Sequence, residues 1–287
     1  MPTSRLLNRA AIVATAAACV ACGSNGAGKS DSGAASAAIK PNPVTVHAKD
    51  FMFDAPSQIP AGRTAFTLVN DGPGLHHMLV VRLDSGKTVA DLQVALKKQG
   101  PPPRWMVPVG GPNGPNPGDS SNAVLDLPAG QYALLCMVDI PGGIPHFAKG
   151  MIHALAVTAA TTAEASAPAA DDTITLADFA FTLTKPLTAG SHTFAISNIG
   201  TQPHEVEIIR LADGKTPQDF LTWMNGSLKT PPPGSALGGM APMVPGATTY
   251  FTATFGPGTY LLACFLPDAK DGKPHFMKGM MHTEVVQ

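Results

Sequence analysis

Eight residues of this 287-residue chain form two sets of the same types in the same order. Cys136, His146 and Met151 recur as Cys264, His275 and Met280, and each trio has an upstream histidine, His76 in the first and His204 in the second. One thiolate, two imidazoles and one thioether suit a mononuclear copper centre of the electron-transfer kind. Copper cycles between two oxidation states that prefer different geometries. A trigonal Cys and two His with a weak axial Met suits both, so little rearrangement accompanies electron transfer. A lone buried histidine or methionine is usually packing. Four donor types kept in order, twice, point instead to a metal.

The cysteine count sharpens this. The chain has four cysteines, Cys19, Cys22, Cys136 and Cys264. Arg5 and Arg9 precede a short run of small and apolar residues, Ala10 to Ala21, too short to span a bilayer. The run ends in CVACGSNG, which resembles a bacterial lipoprotein processing site with Cys22 as the acylated residue. The alternative is an ordinary secretory signal cut after a small residue. Residues 1–22 are thus the expected signal and 23–40 a flexible tether of Gly, Ser and Ala. The mature chain keeps one cysteine per repeat, in an oxidising compartment where cysteines usually pair. A Cys136–Cys264 bridge is the competing reading, and it leaves the neighbouring His and Met without a role.

Most of the mature chain is written twice. DFMF from Asp50 matches DFAF from Asp178, AGRTAFTLVNDG from Ala61 matches AGSHTFAISNIG from Ala189, and HHMLVVRL from His76 matches HEVEIIRL from His204. PAGQYALLC, ending at Cys136, matches GPGTYLLAC, ending at Cys264, and PHFAKGM matches PHFMKGM. Two domains are expected, 41–158 and 172–287, joined by a small-residue linker, 159–171. TAFTLVN and HTFAISN alternate as half-buried strands. Thr88–Lys98 has helical spacing, and Thr216–Asn225 opens with Thr then Pro, a helix start. A proline-rich stretch and a Gly-rich loop follow in each copy, then a strand ending in Cys, a long turn, and a last strand after Met. Gly and Pro are frequent among short Val, Ile, Leu, Thr and Phe runs, which favours an all-β fold, two tandem β-sandwiches each with a short inserted helix.

The order His, long gap, Cys–loop–His–loop–Met resembles the cupredoxins, the blue copper family, across both repeats. NDGPGLH, Asn70 to His76, and NIGTQPH, Asn198 to His204, are similar to that family's N-x-G-x-x-x-H pattern, and His-x4-Met has its spacing in both copies. The Cys-to-His loops are longer than in plastocyanin-like sites, nine and ten residues. The resemblance implies Greek-key sandwiches, one copper per domain held by His76, Cys136, His146 and Met151 and by His204, Cys264, His275 and Met280, and Asn70 and Asn198 tying the two ligand loops together. It also implies a redox partner protein such as a c-type cytochrome or an oxidase.

Charged residues make up only 14% of the chain and the net charge is −1, with no basic stripe, so nucleic acid is not an expected partner. Leu135 and Ala263 stand directly before the cysteines, where copper enzymes of this architecture place a coupling histidine, and no His-x-His pair occurs. The expectation is therefore a protein that is not an enzyme: an envelope electron carrier, lipid-anchored outside the cytoplasmic membrane. A copper carrier without redox duty and a copper-free interaction module remain as alternatives. His77, His153 and His282 have no assigned role beyond a candidate second site.

Overall fold

The computed structural model describes residues 39–84, 86–98, 100–140, 143–160, 163–226 and 230–287. The expected signal, Cys22 and residues 23–38 of the tether lie outside them. Short alternating runs set the architecture. In the strand Gly62–Asn70, Thr64, Phe66, Leu68 and Asn70 are buried while the residues between them are half-exposed. Gly190–Asn198 repeats this with Phe194, Ile196 and Asn198. A period of two buries one face of a strand against a facing sheet.

Two large sheets result, and each runs through both halves of the chain. The eight-stranded sheet has the order Ala180–Leu183, Asp172–Ala177, Gly190–Asn198, Thr248–Phe255, Ser120–Leu127, Gly62–Asn70, Asn42–Lys49, Met52–Asp54. The nine-stranded sheet has the order Met281–Val286, Gly258–Ala263, His204–Leu211, Gly234–Met243, Met106–Gly110, Leu79–Leu83, Gly130–Leu135, Ile152–Thr158, Gln58–Pro60. The described residues pack as one compact unit. The halves meet where Tyr250 pairs Val124 and Met243 pairs Val109. Asn122 reinforces the first join: its amide donates to Thr252 O at 2.7 Å and accepts from Thr252 N at 2.8 Å.

The core between the sheets holds Phe66, Leu68, Leu125, Tyr132, Phe194, Ile196, Phe251 and Tyr260, together with Cys136, Met151, Cys264 and Met280. Each such apolar side chain contributes about 1.5–3 kcal/mol by leaving water. Two helices cover the other face of the nine-stranded sheet. Val89–Leu96 seats Leu92 in a cluster with Leu79, Val81 and Leu135, and Pro217–Met224 seats Phe220 against Ile209, Leu211 and Leu261. Both begin with a capping box, Thr88 with Asp91 and Thr216 with Asp219.

The Gly-rich stretch of the second half is not a loop, as its composition suggested. Residues 234–243 form a strand at the join. Gly239 there has φ +138° and Gly111 has φ +137°, and a side chain at either would collide with a backbone carbonyl, Val206 O or Met78 O. The glycines mark close backbone approach rather than a turn.

Candidate metal centre

Local chain order delivers three donors to one end of the core in each half. Cys136 follows the strand Gly130–Leu135, His146 opens the short 3-10 helix His146–Lys149, and Met151 precedes the strand Ile152–Thr158. Backbone bonds knit this loop: Phe147 N–H to Cys136 O at 2.8 Å, Cys136 N–H to Met151 O at 3.2 Å, and Met151 N–H to His146 O at 3.1 Å. The matching bonds in the second half are 2.9, 3.3 and 3.0 Å. The upstream histidine follows the loop that leaves Asn70 or Asn198, and His204 opens the strand His204–Leu211.

The donor atoms converge. His76 Nδ1 lies 3.0 Å from His146 Nδ1, and Cys136 Sγ lies 3.4 Å from the same atom. In the second half His204 Nδ1 lies 3.1 Å from His275 Nδ1, with Cys264 Sγ at 3.3 Å. All three donor atoms of each group fall within 4.8 Å of one another, and all six residues are buried. Met151 and Met280 are fully buried beside them. Nitrogen and sulfur bonded to one first-row metal at about 2.0–2.3 Å stand roughly 3.3–3.6 Å apart in a tetrahedral arrangement. The observed separations are close to that, so the donor set fits a small metal ion after slight expansion. The soft thiolate and thioether select copper over harder cations.

Burial favours the neutral form of His76, His146 and His275, as ligation requires. It lowers the pKa of His76 and His146, and it drops His275 to about 4, with His204 adding to the effect. Burial pushes the Cys136 thiol up to about 11 and raises Cys264 as well, where Glu205 adds to the shift. A bound cation would displace the thiol proton.

Two further residues per half complete the arrangement, and sequence reasoning did not assign them. His76 Nε2 faces Asp50 Oδ1 at 3.3 Å, and His204 Nε2 faces Asp178 Oδ1 at 2.8 Å. A proton on Nε2 leaves Nδ1 as the lone-pair donor, turned toward the thiol. The next residues, Phe51 and Phe179, adopt φ of +60° and +68°, uncommon for a bulky side chain. Their rings meet the downstream histidines edge-on, Phe51 to His146 at 5.3 Å and Phe179 to His275 at 5.2 Å. The strained turn aims a carboxylate at one histidine and a ring at the other. Gly72 and Gly200 make room for the pair: a Cβ would stand 2.5 Å from His76 Nε2 or 2.6 Å from His204 Nε2. The sequence signal was the DF dipeptide, visible as part of the repeat.

Asn70 and Asn198 do not join the two ligand loops as the resemblance implied. Asn70 Nδ2 donates to Gly74 O and Pro115 O, both at 2.9 Å, and its Oδ1 accepts from Gly72 N. Asn198 does the same with Gln202 O, Met243 O and Gly200 N. Each shapes its histidine loop and ties it to the join between the halves, away from the cysteine loop. His77 takes a role too: its Nε2 accepts from Met137 N at 2.8 Å, fixing the residue after Cys136, while its Nδ1 side faces Asn113 Oδ1 at 3.3 Å. Glu205 occupies the matching position and accepts from Phe265 N at 2.9 Å. His153 faces Pro56 O and His282 pairs with Glu284, and neither joins a converging donor group among the described residues.

No protein-family model matches the chain, and no curated protein does. Solved structures similar to it include an auracyanin from Roseiflexus castenholzii, 19% identical over 41% of this chain and 97% of that one, with a TM-score of 0.30. A blue copper oxidase from Nitrosomonas europaea is 13% identical over 86% of each chain, with a TM-score of 0.27. A copper nitrite reductase from Nitrosomonas europaea is 15% identical over 86% of this chain and 94% of that one, with a TM-score of 0.26. The chain is mostly β, and these neighbours include a copper oxidase and a copper nitrite reductase. The expectation that the chain is not an enzyme is corrected by this set. The structures similar to it include an oxidase and a nitrite reductase, which are enzymes. With TM-scores this low, the chemistry of the two centres rests on their own donor atoms.

Proposed function

We propose that this is an exported copper protein with one mononuclear electron-transfer centre in each half. The halves 41–158 and 172–287 are each a cupredoxin-like Greek-key sandwich. His76, Cys136, His146 and Met151 hold one copper, and His204, Cys264, His275 and Met280 hold the other. The observation that carries the reading is the convergence, in both halves, of two Nδ1 atoms and one Sγ within 4.8 Å of one another. Copper, when bound, supplies a one-electron carrier. The chain's part is to present imidazole nitrogens, to yield a thiol proton on binding, and to hold the ligands so that little moves between oxidation states. The mature protein is tethered to the membrane through acylated Cys22 and exchanges electrons with a soluble or membrane-bound redox protein. No helix among the described residues is long and apolar enough to cross a membrane.

Metal analysis and an absorption spectrum of the copper-loaded mature protein test this. Two coppers per chain and an intense visible thiolate-to-copper band are expected. Tight cuprous binding without that band would make the protein a copper carrier, and no copper after loading would leave an interaction module. For the tether, Cys22→Ala should release soluble protein; the same membrane fractionation as the parent would place the anchor elsewhere.

A further inference from the structure

The two centres share donor atoms but not the groups behind them. Asp178, which faces His204 Nε2, is pinned by Thr201: the Thr201 N–H donates to Oδ1 at 3.0 Å and its hydroxyl donates to Oδ2 at 2.5 Å. In the first half Pro73 stands where Thr201 does, with neither an N–H nor a hydroxyl to offer Asp50. The Asp50 contact to its histidine is longer, 3.3 against 2.8 Å, and its side chain is 49% exposed against 30% for Asp178. The downstream histidines differ likewise. His275 Nε2 faces Gln202 Oε1 at 3.2 Å, and Gln202 is itself held by Ala269 N and by Asp268. Gly74 is its counterpart beside His146 and has no side chain.

A carboxylate accepting from Nε2–H enriches the opposite nitrogen and places negative charge near the metal. Both effects favour the more highly charged cupric form over the cuprous one. The effect grows as the carboxylate is fixed closer and shielded from water. The shorter contact of Asp178 and its lower exposure therefore both favour the cupric form of the second centre over that of the first.

We propose that Asp178, fixed by Thr201, is a positioning residue that sets the second centre at a lower reduction potential than the first. At equilibrium an electron held by the protein resides in the first half. The internal exchange moves one electron: the cuprous second centre is oxidised to cupric, the cupric first centre is reduced to cuprous, and no bond is broken. This rests on the two-copper reading above.

A redox titration of the copper-loaded mature protein tests it, with Cys136→Ser and Cys264→Ser assigning each transition. Two one-electron steps are expected, the lower one missing in Cys264→Ser. Asp178→Asn keeps an acceptor oxygen and removes the charge. It should raise the cuprous-to-cupric ratio of the second centre about tenfold at fixed poise, roughly 59 mV for one electron, and leave the first unchanged. Thr201→Val should move the second centre the same way by less, and carries the test if Asp178→Asn does not fold. In copper-free protein, ring-nitrogen NMR should find His204 in the Nε2–H tautomer, and mixed tautomers in Asp178→Ala. Equal potentials, a lower first centre, or no shift in either variant with both coppers bound would overturn this inference alone. A chain that takes up no copper would overturn the two-copper reading and this inference with it.

Discussion

The first centre has few polar side chains linked behind its ligands, and the second has a connected set of them. Around the first, Pro73 and Gly74 offer no side-chain donor or acceptor, and nothing lies within 4 Å of where a Gly74 Cβ would stand. Around the second, Asp268 binds Lys278, Gln202 bridges Asp268 and His275, and Lys278 also lies 4.6 Å over the Phe179 ring. Lys278 holds the Asp268 carboxyl far below its ordinary range, with Gln202 adding to the effect. The donor atoms of the two sites nevertheless superpose in type and spacing. Ligand geometry is thus held by the parts the halves share, the sandwich and the Asp-Phe turn, while the tuning of each centre is left to loop residues that differ.

The severest way to break the comparison is to remove one thiolate. Cys136→Ser should abolish the first centre's thiolate-to-copper absorption and leave the second's, and Cys264→Ser should do the reverse. Loss of both bands in either variant would mean that the centres depend on each other across the join.

Crowding the histidines is the next lever. Gly72→Ala and Gly200→Ala each press a methyl into the ligand imidazole, and each should weaken its own copper by about 10–100-fold, the range seen when support of a metal-ligating histidine is lost. The loss should be greater at Gly200, where the Cβ would also stand 2.6 Å from Asp178 Oδ1 rather than the 3.3 Å to Asp50 at Gly72. Competitive chelator titration of each band would show whether the order holds.

Stability against pH separates the matched residues His77 and Glu205 by sign. Burial lowers His77 to about 4, so the unfolded chain binds the extra proton between that value and about 6.5, and stability falls as pH drops through this window. Burial raises Glu205 to about 7, so the folded chain holds the extra proton above about 4.5, and stability falls as pH rises toward 7. His77→Gln should flatten the acidic limb and Glu205→Gln the neutral one, each by roughly 3 kcal/mol across its window. Denaturant midpoints of copper-free protein at pH 4 to 8 would show it, and slopes of the same sign in both variants would refute it.

The smallest expected effect is also the most symmetric. Thr88→Ala and Thr216→Ala each remove an N-cap side chain from a helix of eight residues and should each cost about 1 kcal/mol. A much larger loss at Thr216 would show that the second helix, which begins with Pro217, leans more on its cap, and thermal melts of the two variants side by side would reveal it.

The amino-acid sequence by itself determined the features that depend on near neighbours. Alternation fixed which faces of 62–70 and 190–198 turn inward, Thr88 and Thr216 fixed the helix starts, and the Cys-x9-His and Cys-x10-His loops placed three donors within one turn region. The identity of the donors, and so copper as the suited metal, was legible from residue type alone. The tertiary structure decided what stands behind them. Asp50 reaches His76 because the strand Asn42–Lys49 runs parallel to Gly62–Asn70, pairing Ala48 with Asn70 and bringing the next turn beside the histidine loop; Leu176 and Asn198 do this for Asp178. Met137 is fixed by His77 from 60 residues away, and the two sheets continue across the join through pairs some 130 residues apart. A hydrogen bond acts over about 3 Å of space, so its partner is set by which strands lie side by side, and no local pattern in the chain encodes that.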